Sequence, residues 1–309
     1  MGPCLVLGGA GFIGSHLAEA LARQGRRVRI FDRPHVDRLS LFPNAKGFET
    51  FTGDFLNPQA LAPALEGAEL VFHLVSTTLP KNSNDHPAYD VESNVLGSLR
   101  LIELCREHRV RKLVFVSSGG TVYGVPRTTP IAEDHATDPI SSYGIHKLMV
   151  EKYLGLAHRL HGLDYRIVRP GNLYGPRQRL DTAQGAVAVF LDSALRGEPI
   201  QIWGDGSVVR DYVYVADAVE AMLKAAAFEG APRVFNLGSG KGTSLNELVA
   251  EIGNLLGRPV KVEHSASRPV DVPVNVLDSS LAARHLGWRA STPLSEGLRR
   301  TCEWLRSAR

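Results

Sequence analysis

Tyr143 and Lys147 stand four residues apart in the run Ser141-Ser142-Tyr143-Gly144-Ile145-His146-Lys147. The stretch reads as helix, where that spacing puts both side chains on one face. An ammonium beside a phenol favours the phenolate and lowers the tyrosine pKa. A phenolate so prepared can take a proton from a sugar or alcohol hydroxyl near neutral pH. Taken alone, the pair also fits an ordinary solvated helix face. A glycine-rich run at the start of the chain tips the reading toward chemistry.

That run follows a short apolar stretch, Pro3-Cys4-Leu5-Val6-Leu7, which reads as a buried parallel strand. Gly8-Gly9-Ala10-Gly11-Phe12-Ile13-Gly14 comes next, and a helical pattern occupies 15–24. Gly8 permits a tight turn, Gly11 lets backbone approach a pyrophosphate, and Gly14 lets helix and strand pack closely. The helix N-terminus faces the phosphates with its partial positive charge. Strand, glycines and helix occur in the order that dinucleotide binding demands, which an ordinary glycine-rich turn does not require.

A second strand at 27–31 ends at Asp32, about twenty residues beyond the glycines, where an acid accepts hydrogen bonds from the adenosine ribose. A carboxylate there repels a 2′-phosphate and favours NAD over NADP. Arg33 pulls the other way, because a guanidinium could receive that phosphate. A strand-end turn acid is the plainer reading of Asp32.

These residues need a scaffold, and the alternation of elements supplies one. Strands are predicted at 48–52, 70–74, 112–118 and 164–169, and helices at 58–65, 89–108 and 143–161. Beyond Pro170 come a loop at 171–177 and a helix at 187–196. Short strands at 200–203 and 208–212 flank the turn signal Gly204-Asp205-Gly206, and helices follow at 216–227, 245–256, 279–285 and 293–307. The predicted fold is α/β: a Rossmann-type, doubly wound parallel sheet with a smaller C-terminal substrate-binding lobe. Residues 1–170 would hold the dinucleotide and the Tyr/Lys helix. Residues 171–309 would mainly hold substrate, with segments crossing between lobes. Ligands belong at the carboxyl ends of the strands.

The 309 residues are 44% hydrophobic and carry a formal net charge of +3, enough for one large or two modest domains with a substantial core. Basic residues are scattered, so nucleic-acid binding gains no support, while a mild basic excess suits an anionic small substrate. Cys4, Cys105 and Cys302 are far apart and fall in predicted strand or helix, implying neither a disulfide framework nor a metal site. No signal peptide or membrane-length apolar run is read, and the expectation is a cytoplasmic protein.

The full set of motifs resembles the extended short-chain dehydrogenase/reductase family, in its NAD-dependent nucleotide-sugar epimerase/dehydratase group, nearest to UDP-sugar 4-epimerases. The matching pieces are the glycine run, Gly53-Asp54, His73-Leu74, Asn94-Val95-Leu96-Gly97, Ser117-Ser118-Gly119-Gly120-Thr121-Val122-Tyr123-Gly124 and the Tyr143/Lys147 pair. Further on come Arg169-Pro170-Gly171-Asn172-Leu173-Tyr174-Gly175-Pro176-Arg177, Gly204-Asp205-Gly206, Arg210-Asp211-Tyr212-Val213 and Arg268-Pro269-Val270-Asp271.

The resemblance implies a role for each position. Gly8, Gly11, Phe12, Ile13, Gly14, Asp32 and Arg33 would bind NAD. Asp54 and Phe55 would flank its adenine, and Leu74, Ser76, Ser117 and Pro170 would lie along the rest. Tyr143 would be the base, and Lys147 would bind the nicotinamide ribose and depress the tyrosine pKa. On the substrate side stand Thr78, Ser118 and Gln201, with Asn172 on the phosphates, Arg210 and Arg268 on the diphosphate, and Asp271 on the nucleotide ribose. Two guanidinium groups suit a diphosphate through paired, charge-assisted hydrogen bonds.

In the family a residue just beyond the Arg-to-Asp pair closes the sugar pocket, and a tyrosine there excludes N-acetylated sugars. The count falls on Asn275, small enough to admit UDP-N-acetylglucosamine or its galacto epimer; a turn cap after Pro273 is the plainer role. The family also pairs two long helices per subunit, and the wide apolar faces at 89–108 and 141–161 imply a homodimer.

Three positions depart from the family pattern: Leu7, where threonine is common, Gly119, and the pair Gly120-Thr121. Gly119 cannot supply the catalytic hydroxyl that many epimerases carry there, which leaves Ser118, Thr121 or a water. Gly120-Thr121 replaces the Asp-Glu pair of 4,6-dehydratases, so eliminating water lacks its acid. The expected reaction is transient oxidation of a sugar at C4, with NAD retained between turnovers. The same scaffold also hosts net dehydratases, reductases and decarboxylases, and a nucleotide-sugar- or NAD-binding protein without catalysis is the non-enzymatic alternative.

Overall fold

The structure, a computed structural model, describes residues 2–34, 47–78, 83–180, 185–267 and 272–307. The first half runs β1 (Cys4–Leu7), α1 (Phe12–Arg23), β2 (Val28–Asp32), β3 (Glu49–Thr52), α2 (Pro58–Leu65) and β4 (Leu70–His73). A long helix follows in three parts: α3 (Pro87–Asp90), a π-helical segment (Val91–Leu96) and α4 (Gly97–Glu107). Then come β5 (Lys112–Val116), α5 (Ser142–His161) and β6 (Asp164–Pro170). The second half runs β7 (Asn172–Tyr174), α6 (Ala186–Arg196), β8 (Ile200–Trp203), β9 (Val209–Tyr214), α7 (Val215–Ala227) and β10 (Val234–Leu237). It ends with β11 (Gly242–Ser244), α8 (Leu245–Leu256), β12 (Val262–Ser265), β13 (Val274–Asn275), α9 (Ser280–Leu286) and α10 (Leu294–Ser307).

Seven strands make the main sheet in the order β10-β6-β5-β4-β1-β2-β3. Every pairing from β6 to β3 is parallel. The chain steps outward from β1 to β2 and β3, then returns to β4 on the other side of β1. The order thus reverses between β1 and β4, and at such a switch point the strand-end loops diverge and leave a crevice. The central strands β1, β4 and β5 read as near-continuous apolar runs because helices cover a doubly wound sheet on both faces, and all three are buried throughout. In α1 the buried Leu17, Ala18 and Leu21 recur at the spacing that seats one helix face on a sheet. The Asn57 side chain caps α2 by accepting from the Gln59 N–H at 3.0 Å, with Pro58 opening the helix.

By contact the chain divides into two compact units. One comprises Met1–Ser118, Ser141–Arg169 and Val219–Phe235, and the other Gly119–Ile140, Pro170–Ala218 and Asn236–Arg309. The core of the first joins Leu5, Leu7, Phe31, Val71, Phe115 and Ile167 of the sheet to Leu61, Leu101, Val150 and Leu154 of the helices. The core of the second gathers Tyr174, Phe190, Leu191, Ile202, Tyr212, Tyr214, Ile252 and Leu298. Its small sheet has β9 at the centre, parallel to β7 and β13 and antiparallel to β11.

The fold agrees with the α/β, doubly wound expectation, and four local features differ. Helix α1 begins at Phe12 rather than at 15, inside the glycine run. The helix expected at 89–108 contains the π segment. Part of the expected loop at 171–177 is β7, and β10 to β13 were not foreseen. The two strands that flank Gly204-Asp205-Gly206 do not pair with each other: β8 pairs with β12, while β9 belongs to another sheet. Gly204 and Gly206 both adopt φ near +78 to +79°, and Asn246 of α8 grips the turn through the Asp205 carbonyl at 3.0 Å. The chain is thereby turned away from antiparallel return. Among the described residues no helix is long and apolar enough to cross a membrane.

Candidate active site

The glycine run forms a cradle at the end of β1. Gly8 sits at φ +78°, a left-handed conformation open mainly to glycine. A Cβ on Gly14 would lie 2.2 Å from the Gly8 carbonyl oxygen, so the helix can approach the strand only without a side chain. Gly11 is the N-cap of α1 and makes no side-chain cap, which leaves the first-turn N–H groups and the helix dipole facing out. Asp32 closes the cradle from β2: Oδ2 accepts from the Ala10 N–H at 3.0 Å and Oδ1 from the Arg33 N–H at 2.9 Å. Burial raises the Asp32 pKa, and those two N–H donors oppose the rise. A carboxylate with lone pairs to spare beside an uncapped helix start matches a ribose and a pyrophosphate, so the residues present fit a dinucleotide. Arg33 is exposed next to it.

Phe55 and Ser117 stand elsewhere than the resemblance suggested. The Phe55 ring is core: it packs on His73 with centroids 5.2 Å apart, so only its main chain is left to face an adenine. Asp54 is exposed and caps its own turn through the Leu56 N–H at 2.9 Å. Ser117 is buried and donates to Glu151 Oε1 at 2.5 Å, and Arg169 grips the same carboxylate in a fork at 3.0 and 2.5 Å. This is a structural triad, with its hydroxyl already committed. Leu74 is half-buried at the end of β4, its N–H on the Leu7 carbonyl at 3.1 Å, and Pro170 is buried with its carbonyl accepting from the Gly119 N–H at 2.9 Å.

The start of α5 carries the reactive pair. Ser141 caps it by accepting from the Gly144 N–H at 3.2 Å. Ser83 accepts from the Tyr143 N–H at 3.0 Å and Asn84 from the Ser142 N–H at 2.8 Å, so all three exposed donors are satisfied by side chains. Lys147 is buried. Its ammonium donates to the Val116 carbonyl at 3.0 Å and lies 4.9 Å from the Phe115 ring centre and 5.6 Å from that of Tyr143. A single hydrogen bond leaves two of its donors for a ligand.

The electrostatics correct one expectation. Burial pushes the Tyr143 phenol up to about 12, with Asp90 adding to the rise and Ser76 opposing it. Burial likewise pulls Lys147 down to about 8, against the attraction of Asp90 and Glu151. Within the protein alone, loss of solvent outweighs the help that the Ser76 hydroxyl gives the phenolate.

Thr78 is not open to a substrate: it is buried and its hydroxyl donates to Asp90. Ser76 is half-buried, donating to the Thr78 carbonyl at 3.0 Å. Ser118, just past the end of β5, is half-buried, and the hydroxyl of Thr121 is buried without a partner among the described residues.

In the second unit, Asn275 is wholly buried on β13, beside Arg210 of β9. Its Nδ2 donates to the Gly119 carbonyl at 3.1 Å and its Oδ1 is buried without a partner, so the turn-cap role does not hold. The Arg210 guanidinium donates to the Val272 carbonyl at 2.6 Å and is half-buried. Asn172 is half-buried at the start of β7. Gln201 projects from the exposed face of β8 and bonds Glu263 of β12 at 2.5 Å, an ordinary cross-strand pair. Arg268 and Asp271 lie outside the described residues. Among the described residues no cluster of histidine, cysteine or acid could hold a metal.

A switch-point cradle beside a tyrosine–lysine helix defines an NAD-dependent α/β enzyme. The NAD-dependent epimerase/dehydratase family matches residues 4–238. The chain is 38% identical over 307 residues to UDP-glucose 4-epimerase of Mycolicibacterium smegmatis, covering 98% of each. It superposes on UDP-glucose 4-epimerase of Thermotoga maritima, solved with UDP-glucose, with a TM-score of 0.94 and 36% identity over 99% of both chains. UDP-glucose 4-epimerase of Thermus thermophilus, solved with NAD, gives 0.92 and 34% over 99% of this chain and 100% of that one. The chain belongs to the NAD-dependent epimerase/dehydratase family, and its cofactor is NAD.

Proposed function

We propose that the chain is a nucleotide-sugar 4-epimerase, acting on UDP-glucose and UDP-galactose or their N-acetyl forms. The observation that carries this is Tyr143 with Lys147 in the unit that holds the cofactor cradle, and Gly120-Thr121 where the related dehydratases have an acid pair. Such a site has a base for a hydroxyl proton and no carboxylic acid for expelling water. Bound NAD supplies a reversible acceptor for the C4 hydride and a cationic ring.

Tyr143 takes the 4-hydroxyl proton and later returns it. Lys147 holds the nicotinamide ribose with its two remaining donors. Ser118 or Thr121, or a water, hydrogen-bonds the sugar oxygen in place of the hydroxyl missing at Gly119. We assign the first unit to NAD and the second to the nucleotide sugar: Asn172, Arg210 and Arg268 on the diphosphate, and Asp271 on the ribose. The Asn275 Oδ1, buried and unpaired, is the acceptor for an acetamido N–H, because an unsatisfied buried acceptor gains most from a ligand donor.

The test is incubation with UDP-, dTDP- and GDP-sugars, with products read by NMR and bound NADH by absorbance. A mixture of 4-epimers with no added reductant supports the reading. Net loss of water or carbon dioxide, or stoichiometric NADH, overturns it.

The working form is a homodimer in the cytoplasm. Tyr89, Val91 and Leu96 on the three-part helix and Ile145, Tyr153, Leu156 and Leu160 on α5 are exposed apolar side chains on two helices that pack together. Burying such a surface against its own copy is a standard route to a symmetric dimer. Three separate buried thiols suit a reducing compartment.

A further inference from the structure

Beside the Tyr143 ring lies a carboxylate–imidazole pair that the reaction above does not use. Asp90 is completely buried. Its Oδ1 accepts from the Thr78 hydroxyl and from Asn94 Nδ2 at 3.0 Å. Its Oδ2 accepts from the Ser142 hydroxyl at 2.7 Å and pairs with His146 Nδ1 at 2.9 Å. Four partners fill the acceptor sites of a carboxylate. They hold it ionised, and its pKa is lowered although burial acts the other way.

An ionised carboxylate has no proton to give, so the proton in the Asp90–His146 bond sits on Nδ1. Burial and the Lys147 charge hold the His146 pKa down to about 4, and the ring is neutral. Nε2 is then a bare acceptor, buried and without a partner among the described residues. The ring meets the Tyr143 ring edge to face, centroids 5.0 Å apart and planes at 71°. Through Oδ1 the same carboxylate anchors Thr78, whose carbonyl holds Ser76, the hydroxyl that acts on the Tyr143 phenol.

We propose that Asp90 and His146 are positioning residues for Tyr143, the carboxylate locking the imidazole in its Nδ1–H tautomer so that ring and Thr78 loop together fix the phenol. The tautomer matters chemically. A bare Nε2 carries no proton, whereas the opposite tautomer or an imidazolium would put a buried N–H donor on the ring that packs against Tyr143. The inference rests on the 4-epimerase reading for the step that the phenol performs. The charged and titratable groups acting on this cluster are Lys147 and Glu151 of α5, Asp90 of α3 and His73 of β4.

The experiment uses the NAD-loaded, full-length enzyme. Imidazole 15N shifts should report the Nδ1–H tautomer for His146, unchanged from pH 5.5 to 9. His146→Phe keeps a ring and removes the donor; His146→Asn keeps a donor near the Nδ1 position. Losing one buried charge-assisted hydrogen bond should lower kcat about tenfold at unchanged KM in His146→Phe, with much of the loss recovered in His146→Asn. Equal kcat per NAD-loaded molecule in both variants, with only thermal stability reduced, overturns the proposal. So does the Nε2–H tautomer in the wild type, which needs no variant to fold. A wild type that turns over no sugar while showing the Nδ1–H tautomer overturns the epimerase reading instead.

Discussion

Gly11 and Gly14 are three residues apart, and the structure gives them separate duties that two alanine substitutions can resolve. A Cβ on Gly14 would stand 2.2 Å from the Gly8 carbonyl oxygen, 2.7 Å from Gly9 Cα and 2.9 Å from the Gly8 carbonyl carbon. All three are backbone atoms, so no rotamer can relieve them and α1 must withdraw from β1. The shortfall against ordinary contact is roughly 1 Å, and Gly14→Ala should destabilise the NAD-free protein by about 3 kcal/mol. At Gly11 the same atom meets only the Gly8 oxygen, at 3.1 Å, and φ is −78°, which alanine adopts readily. Gly11→Ala should change NAD-free stability by no more than about 1 kcal/mol, since a slight squeeze is offset by lower entropy of the unfolded chain. Its methyl nevertheless projects at the uncapped helix start, and NAD affinity should fall about tenfold or more. Thermal unfolding of NAD-stripped protein and NAD titration by calorimetry read the two effects apart. Wild-type NAD affinity in Gly11→Ala would refute the placement of the pyrophosphate on α1. An unshifted melting temperature in Gly14→Ala would refute the packing argument.

Tyr143→Phe should lower turnover by about a hundredfold, the scale of a lost general base, with NAD binding retained; near-normal turnover would remove Tyr143 as the base. Asn275→Leu keeps the branched shape, with some added bulk, and deletes the amide, and should cut the preference for acetylated over plain UDP-sugars about tenfold; competition assays that return the wild-type ratio would remove Asn275 from specificity. Leu156→Glu with Leu160→Glu should shift the light-scattering mass from dimer to monomer at micromolar concentration, and a dimer that persists would place the interface elsewhere. Lys147→Met should stabilise the NAD-free protein, because the folded chain holds its ammonium with a pKa of about 8 rather than 10.5. The depressed value means that the unfolded state binds the proton more tightly, so wild-type stability rises with pH; relative to Lys147→Met it should gain about 2 kcal/mol between pH 7 and 9.5. A pH-independent difference in urea unfolding would contradict the buried ammonium.

What the sequence disclosed is what local spacing encodes. The glycine run and the Tyr143/Lys147 pair are read within a single turn or helix, where geometry follows from residue number. The apolar runs of β1, β4 and β5 announce strands buried on both faces. Partnerships across long separations were illegible. Asp90 and His146 lie 56 residues apart, and Gln201 meets Glu263 across 62. Ser117 looked like a strand-end hydroxyl available to a cofactor until Glu151 and Arg169 were seen to claim it. Phe55 stands beside Asp54 in the chain, yet an aromatic ring next to an open core is drawn inward, and no spacing rule reports that. The strands flanking Gly204-Asp205-Gly206 found other partners for a related reason. A Gly-Asp-Gly turn specifies a change of direction, and the partner of each strand was decided by β12 and β7, far off in sequence.

The raised tyrosine pKa bears on when the base exists. The Lys147 ammonium lies 5.6 Å from the Tyr143 ring centre, but the protein has removed most of the water from both, and burial disfavours either charge. Asp90, ionised and fully bonded, strengthens the ammonium and further opposes the phenolate. The free protein therefore keeps its proton on the phenol. Two lysine donors remain unused beside it, and the cradle of Gly8, Gly11 and Gly14 lies in the same unit. A cofactor with a cationic ring and ribose hydroxyls would bring the positive charge and the hydrogen-bond partners that the phenolate lacks. On this account the base forms only in the loaded enzyme, and a chain without NAD has neither a hydride acceptor nor a functional base to expose to solvent.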